Sequence, residues 1–149
     1  MTDKFSTNVL IHATREQVWN ILTTPEIMAD WMGGDELQIK VITTWEINSP
    51  ILIQGFHHMK FENSGWVLQY EKESRLSYSH LSNISRLPDK PENYTVMEFV
   101  LTPAEEGTLL TLNIENFPTE VILKHLAFYW RTTIFKIKKV AEEKLTQVS

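Results

Sequence analysis

The stretch YTVMEFVLTPAEEGTLLTLNIENFPTEVILKHLAFYWRTTIFKIKKVAEEKL, residues 94–145, changes its hydrophobic period once, and that change decides the fold. Up to Ile114 the period is two. Met97, Phe99 and Leu101 share one face, and Leu110, Leu112 and Ile114 repeat the pattern after the turn AEEG, so the segment reads as a hairpin. From Thr119 the period becomes helical: Leu123, Leu126, Trp130, Ile134, Ile137, Ala141 and Leu145 recur every three or four residues. Some 25 residues of helix span roughly 38 Å. Lys124, Arg131, Lys138, Lys139, Glu142 and Glu143 fall off that stripe and read as a solvated side.

Working back toward the N-terminus, FSTNVLIHA reads as an opening strand, and TREQVWNILTT as a short helix whose Thr14 and Gln17 match a capping box. Pro25 opens a second short helix behind Thr24, carrying Ile27, Met28 and Trp31, and Gly33-Gly34 stops it. The period then turns to two along Leu37, Ile39, Val41, Thr43 and Trp45. After EINSP, the residues Ile51, Ile53, Gly55, His57, Met59 and Phe61 share a face. ENSG reads as a hairpin loop into WVLQYE, and KES leads to RLSYSHL, where Leu76, Tyr78 and His80 alternate with serines. The segment SNISRLPDKPEN is a polar loop. The order is strand, two short helices, six strands, long helix: an α+β chain with an antiparallel sheet of about seven strands, one face covered by the terminal helix.

A chain of 149 residues predicts one domain over residues 1–149. The absence of cysteine excludes disulfides and thiolate ligands, and an intracellular home is the commoner setting for such a chain. A net charge of −5 argues against nucleic-acid binding, and no apolar run reaches the ~18 residues of a membrane span. The opening MTDKFSTNVL lacks a basic-then-apolar signal pattern, so the expected location is cytoplasmic, with no membrane insertion.

Four stretches carry a family resemblance: VLIHATREQVWNILTTPEIMADW, GWVLQYEKESRLSYSH, FVLTPAEEGTLLTLNIENF and HLAFYWRTTIFKIKKV. Together they resemble START-like (helix-grip, polyketide-cyclase-like) domains over nearly the whole chain. The branch they are most similar to is that of the C-terminal domain of the activator of the heat-shock protein 90 ATPase. The resemblance implies a helix-grip fold, a curved sheet gripping the C-terminal helix with a cavity between them. It also implies three kinds of activity: binding of small apolar molecules, cyclase or hydrolase chemistry, or partnership with a chaperone. The length leaves no room for the extra N-terminal domain of the full-length activator, and the family's turn glycine after Trp45 is replaced by Asn48.

Strand geometry divides the adjacent histidines: His57 goes to the face of Ile53 and Met59, inward, and His58 outward, so the two do not share a metal. Pairing Phe61 with Trp66 and Tyr70 with Leu76 leaves His57 and His80 roughly 16 Å apart, too far for common ligation. There is no serine elbow and no inward acid to orient a histidine, and Glu98 falls on the outer face, so no catalytic residue, metal or cofactor is assigned. The expected site is an apolar, aromatic cavity between sheet and helix. Its wall draws Trp45, His57, Met59, Leu68, Tyr70, Tyr78 and His80 from the middle strands. Met97, Phe99, Leu112 and Ile114 come from the last hairpin, and Leu126 and Trp130 from the long helix, with Trp31 at the mouth. The expected function is binding of a small hydrophobic or aromatic molecule. The alternatives are a chaperone-interacting module and a cyclase- or hydrolase-type enzyme using His57 or His80.

Overall fold

The computed structural model describes residues 3–148, with the side chains of all but 34, 35 and 144–148. Strand β1 (Lys4–Ile11) is followed by helices α1 (Arg15–Thr23), α2 (Pro25–Met32) and the single-turn α3 (Gly34–Leu37). Then come β2 (Lys40–Thr43), β3 (Pro50–His57), β4 (Met59–Glu71), β5 (Arg75–Ser82), β6 (Thr95–Ala104), β7 (Gly107–Glu115) and the long helix α4 (Glu120–Val148). The seven strands form one curved antiparallel sheet in the order β1-β7-β6-β5-β4-β3-β2. This is the α+β helix-grip architecture expected from the sequence.

Local chemistry sets the early helices. Thr14 Oγ1 accepts from the Gln17 N–H at 3.1 Å and Gln17 Oε1 accepts from the Thr14 N–H at 2.8 Å, a complete capping box. Pro25 stands in the first turn of α2, where its missing N–H leaves no bond unmade. The indole of Trp31 donates to the Ile21 carbonyl at 3.0 Å, tying α2 to one of the unpaired carbonyls at the end of α1.

Three readings of the middle strands are corrected. The segment 36–45 is not one strand: α3 takes Glu36 and Leu37, Gln38 turns left-handed (φ 50°), and only Lys40–Thr43 pairs with β3. The β3–β4 turn falls at His58 (φ 65°), and ENSG continues inside β4. Gly55 accommodates this register because a Cβ there would meet the ring of Phe61, its cross-strand partner. Gly65 lets β4 approach the Ser79 carbonyl of β5, a place no side chain can occupy. Finally, the β4–β5 register shifts between Val67 and Gln69, and that bulge flips side-chain parity. Val67 points into the core, while Trp66 (48% exposed) and Leu68 (38%) face out.

The inner face is built from Phe5, Val9 and Ile11 of β1, Leu76 and Tyr78 of β5, Met97, Phe99 and Leu101 of β6, and Leu110, Leu112 and Ile114 of β7, all buried. Helix α4 covers it with Leu126, Ala127, Trp130, Ile134, Ile137 and Ala141. Leu145, expected on the same stripe, lies outside the described side chains. Lys138 and Glu142 are not solvated as the period suggested. Lys138 Nζ donates to the Leu10 carbonyl at 2.8 Å and to Glu142 Oε2 at 2.7 Å, and Glu142 also accepts the His12 N–H at 2.9 Å. The pair docks α4 on the end of β1.

Candidate functional site on the inner face of the sheet

A run of aromatic rings crosses the inner face from α1 to α4. Trp19 contacts Tyr70 with centroids 5.2 Å apart, Tyr70 stacks on Trp45 at 5.8 Å, and Trp45 leans on Tyr78 at 6.4 Å. Tyr78 stacks on Phe99 at 6.3 Å, Phe99 meets the edge of Trp130 at 5.7 Å, and Trp130 tilts against Trp31 at 5.9 Å. Offset and edge-on pairs of this kind hold each other's orientation as well as burying area. Their polar tips are anchored at the periphery. The Trp45 indole donates to the Thr23 carbonyl at 2.7 Å, and the Tyr129 hydroxyl donates to the Met32 carbonyl at 2.6 Å.

Two polar groups stand in this wall. Burial, reinforced by the nearby Tyr129, raises the Tyr78 phenol far above its ordinary range, so it remains protonated. Burial likewise raises Tyr129 to about 12, against the opposing hydrogen bond with Thr133. His80 lies two residues along β5 from Tyr78, across from Thr95 of β6 and beside Gly65 of β4. The residue as a whole is half-buried, but its Nδ1 is sealed from water and has no hydrogen-bond partner among the described residues. Burial pushes its pKa down to about 4, so the imidazole is neutral at physiological pH. A buried nitrogen without a partner is uncommon enough to require an explanation. Asn63, which pairs across the strands with Ile53 and Ser82, brings an amide to the same end of the face.

Of the residues expected in the wall, Tyr78, Met97, Phe99, Leu112, Ile114, Leu126 and Trp130 are buried together there, and Trp45 and His80 are half-buried beside them. Trp31, expected at the mouth, is instead fully buried against Trp130. Tyr70 keeps its place at the rim, 37% exposed. His57 and Met59 (52% exposed) sit on the expected face, but at the tip of the β3–β4 hairpin and open to water. Leu68 is on the opposite face, put there by the bulge. The His57 and His58 rings are 4.5 Å apart because His58 occupies the turn, where strand alternation does not apply. No group of three or more potential metal ligands occurs among the described residues.

Sequence reasoning missed Tyr129 and Asn63. Asn63 was hidden by reading ENSG as a loop. Tyr129 could be placed only by knowing that α2 ends against that flank of α4. On the outer face, a groove of about 490 Å³ runs past Leu68, Gln69, Ser77, Glu98, Asn113 and Ser6. Its polar groups satisfy one another: Ser6 donates to Asn113 at 2.8 Å, Asn113 donates to Glu98 at 3.0 Å, and Arg75 pairs with Glu98 at 3.6 Å.

The family model described as Activator of Hsp90 ATPase homolog 1-like protein matches residues 12–142. No curated protein matches the chain. Among solved structures, ChR145 from Cytophaga hutchinsonii is 32% identical, with a TM-score of 0.78 over 98% of this chain and 99% of its own. CV1439 from Chromobacterium violaceum superposes with a TM-score of 0.81 at 16% identity, over 93% of this chain and 96% of its own. DynU16, from the dynemicin biosynthetic locus, gives 0.72 at 18% identity over 95% of this chain and 48% of its own. The last two likenesses are of fold alone.

Proposed function

This chain belongs to the family of Activator of Hsp90 ATPase homolog 1-like proteins, and from that premise we propose that it binds a small, neutral, largely apolar or aromatic molecule between the inner face of the sheet and α4. The observation that carries the reading is the sealed Nδ1 of His80, which has no partner among the described residues and stands in an aromatic wall. A neutral imidazole offers one donor and one acceptor, which suits a hydroxyl or carbonyl on an otherwise apolar ligand, with the rings of Tyr78, Phe99 and Trp130 supplying the apolar surface. Chemistry at this histidine has less support, because its shift comes from burial and no carboxylate among the described residues acts on it.

The test is an NMR screen of the isotopically labelled chain with aromatic compounds and single-chain lipids. Shifts concentrated on His80, Tyr78 and Trp130 are expected, and they should be lost in His80→Phe. A collection of compounds that leaves all three unmoved would refute the reading.

A second reading, docking on a chaperone of the Hsp90 type, is favoured by the family's description. It predicts an association with the chaperone that survives His80→Phe, since the contact would be made by the surface. Absence of any association in calorimetry removes it.

A further inference from the structure

Helix α4 has a second apolar line, on the side away from the sheet. Val121, Phe128 and Phe135 are 77%, 78% and 57% exposed. They are spaced by seven residues, so they form a nearly straight ridge of roughly 21 Å along the helix. Around this ridge the charge is one-sided. Residues 121–141 hold Lys124, Arg131, Lys136, Lys138 and Lys139 and no aspartate or glutamate, in a chain whose net charge is −5. Lys138 is turned to β1, and the Arg131 guanidinium, though exposed, lies 5.3 Å from the Phe5 ring of β1; Lys124, Lys136 and Lys139 are exposed. At about 100° per residue, Lys124 and Arg131 flank the ridge on one side, Lys136 lies on the other, and Lys139 extends it. Two ion pairs reach this set from its ends, Lys124–Glu120 at 3.2 Å and Lys139–Glu143 at 4.0 Å. Both are open to solvent and leave most of the positive field in place.

We infer that this face of α4 docks on an anionic lipid surface, with Phe128 and Phe135 at the headgroup–acyl boundary and Lys124, Lys136 and Lys139 against the headgroups. A convex ridge with cations on both flanks matches a plane of negative charge. It does not match a second copy of itself. An antiparallel pair centred on Phe128 sets the Lys124–Arg131 flank against its own image, and a parallel pair stacks Lys139 on Lys139. The docking is peripheral, since no helix among the described residues is long and apolar enough to cross a membrane. It is also independent of the inner-face site, whose residues lie on the opposite side of the helix.

The experiment is co-sedimentation of the full chain with phosphatidylcholine vesicles, with and without phosphatidylserine, at low and high salt. Binding is expected only to the phosphatidylserine vesicles, with a loss at high salt from screening. The double variants Phe128→Ser/Phe135→Ser and Lys124→Glu/Lys136→Glu should each weaken it by about tenfold or more, with circular dichroism unchanged because all four side chains are exposed. Four results would overturn the inference: no sedimentation with anionic vesicles, equal binding to neutral ones, indifference to both double variants, or a dimer in ultracentrifugation that Phe128→Ser abolishes.

Discussion

The hydroxyl of Tyr129 donates to the main-chain carbonyl of Met32 at 2.6 Å, and this bond holds the middle of α4 to the last residue of α2. The carbonyl is one of those a helix end leaves without an internal partner. Tyr129→Phe keeps the ring against Trp130 and removes the donor to Met32 together with the hydrogen bond to Thr133. A loss of about 1–2 kcal/mol in urea unfolding is expected, together with faster amide exchange at the end of α2.

His80 makes stability depend on pH in a defined direction. Its folded pKa of about 4 lies below the ordinary value of 6.5, so between these values the unfolded chain takes up a proton that the folded chain refuses. The unfolded state is therefore favoured as pH falls from 6.5 toward 4, by up to about 3 kcal/mol over the whole interval. Denaturant titrations across that range should show the decline in the parent chain and a flatter profile in His80→Phe. An identical slope in both would mean that the nitrogen is not sealed.

The Lys138–Glu142 pair loses stability in the same direction as pH falls, but by favouring the charged form of an acid rather than the neutral form of a base. Burial works against the Glu142 carboxylate, but the hydrogen bonds from Lys138 and from the His12 N–H outweigh it and hold its pKa below the usual carboxylate range. This contribution is present above the unfolded pKa and disappears as pH falls through the folded one. Lys138→Met removes the hydrogen bonds from Lys138 to the Leu10 carbonyl and to Glu142, and should lower stability by about 1–2 kcal/mol. The thermal midpoint at neutral pH measures this.

Two glycines on β3 and β4 should differ sharply. Alanine at Gly65 meets the backbone carbonyl of Ser79, which cannot move without parting β4 from β5, whereas alanine at Gly55 meets the movable rings and tips of Phe61 and Ile39. Gly65→Ala is expected to lose about 3 kcal/mol or more and Gly55→Ala less than half of that, by analogy with overpacked cores. Parallel thermal melts compare them directly, and equal losses would mean that the two sites have the same tolerance.

Where one face meets core and the other water, alternation was enough to read the structure. Met97–Phe99–Leu101 and Leu110–Leu112–Ile114 sit as their spacing requires, α1 is capped by Thr14 and Gln17 as written, and the buried stripe of α4 follows Leu126, Trp130, Ile134 and Ile137. Those are local or periodic features, and the free energy of burying one face imposes them along the chain. The candidate site was legible to the extent that its wall lies on these elements, which is why Tyr78, Phe99 and Trp130 came together as expected, whereas Trp31, expected at the mouth, is buried against Trp130.

What tertiary structure alone decided lies where that free energy is weak or has competitors. At its tip, residues 56–60, the β3–β4 hairpin is exposed, so His57 keeps its parity but loses its burial. One extra residue at Leu68 reverses a strand's facing, and no local pattern announces a bulge. His80 shows the same division: periodicity put it on the inner face, but only the approach of β4, β6 and the covering elements sealed its Nδ1 from water.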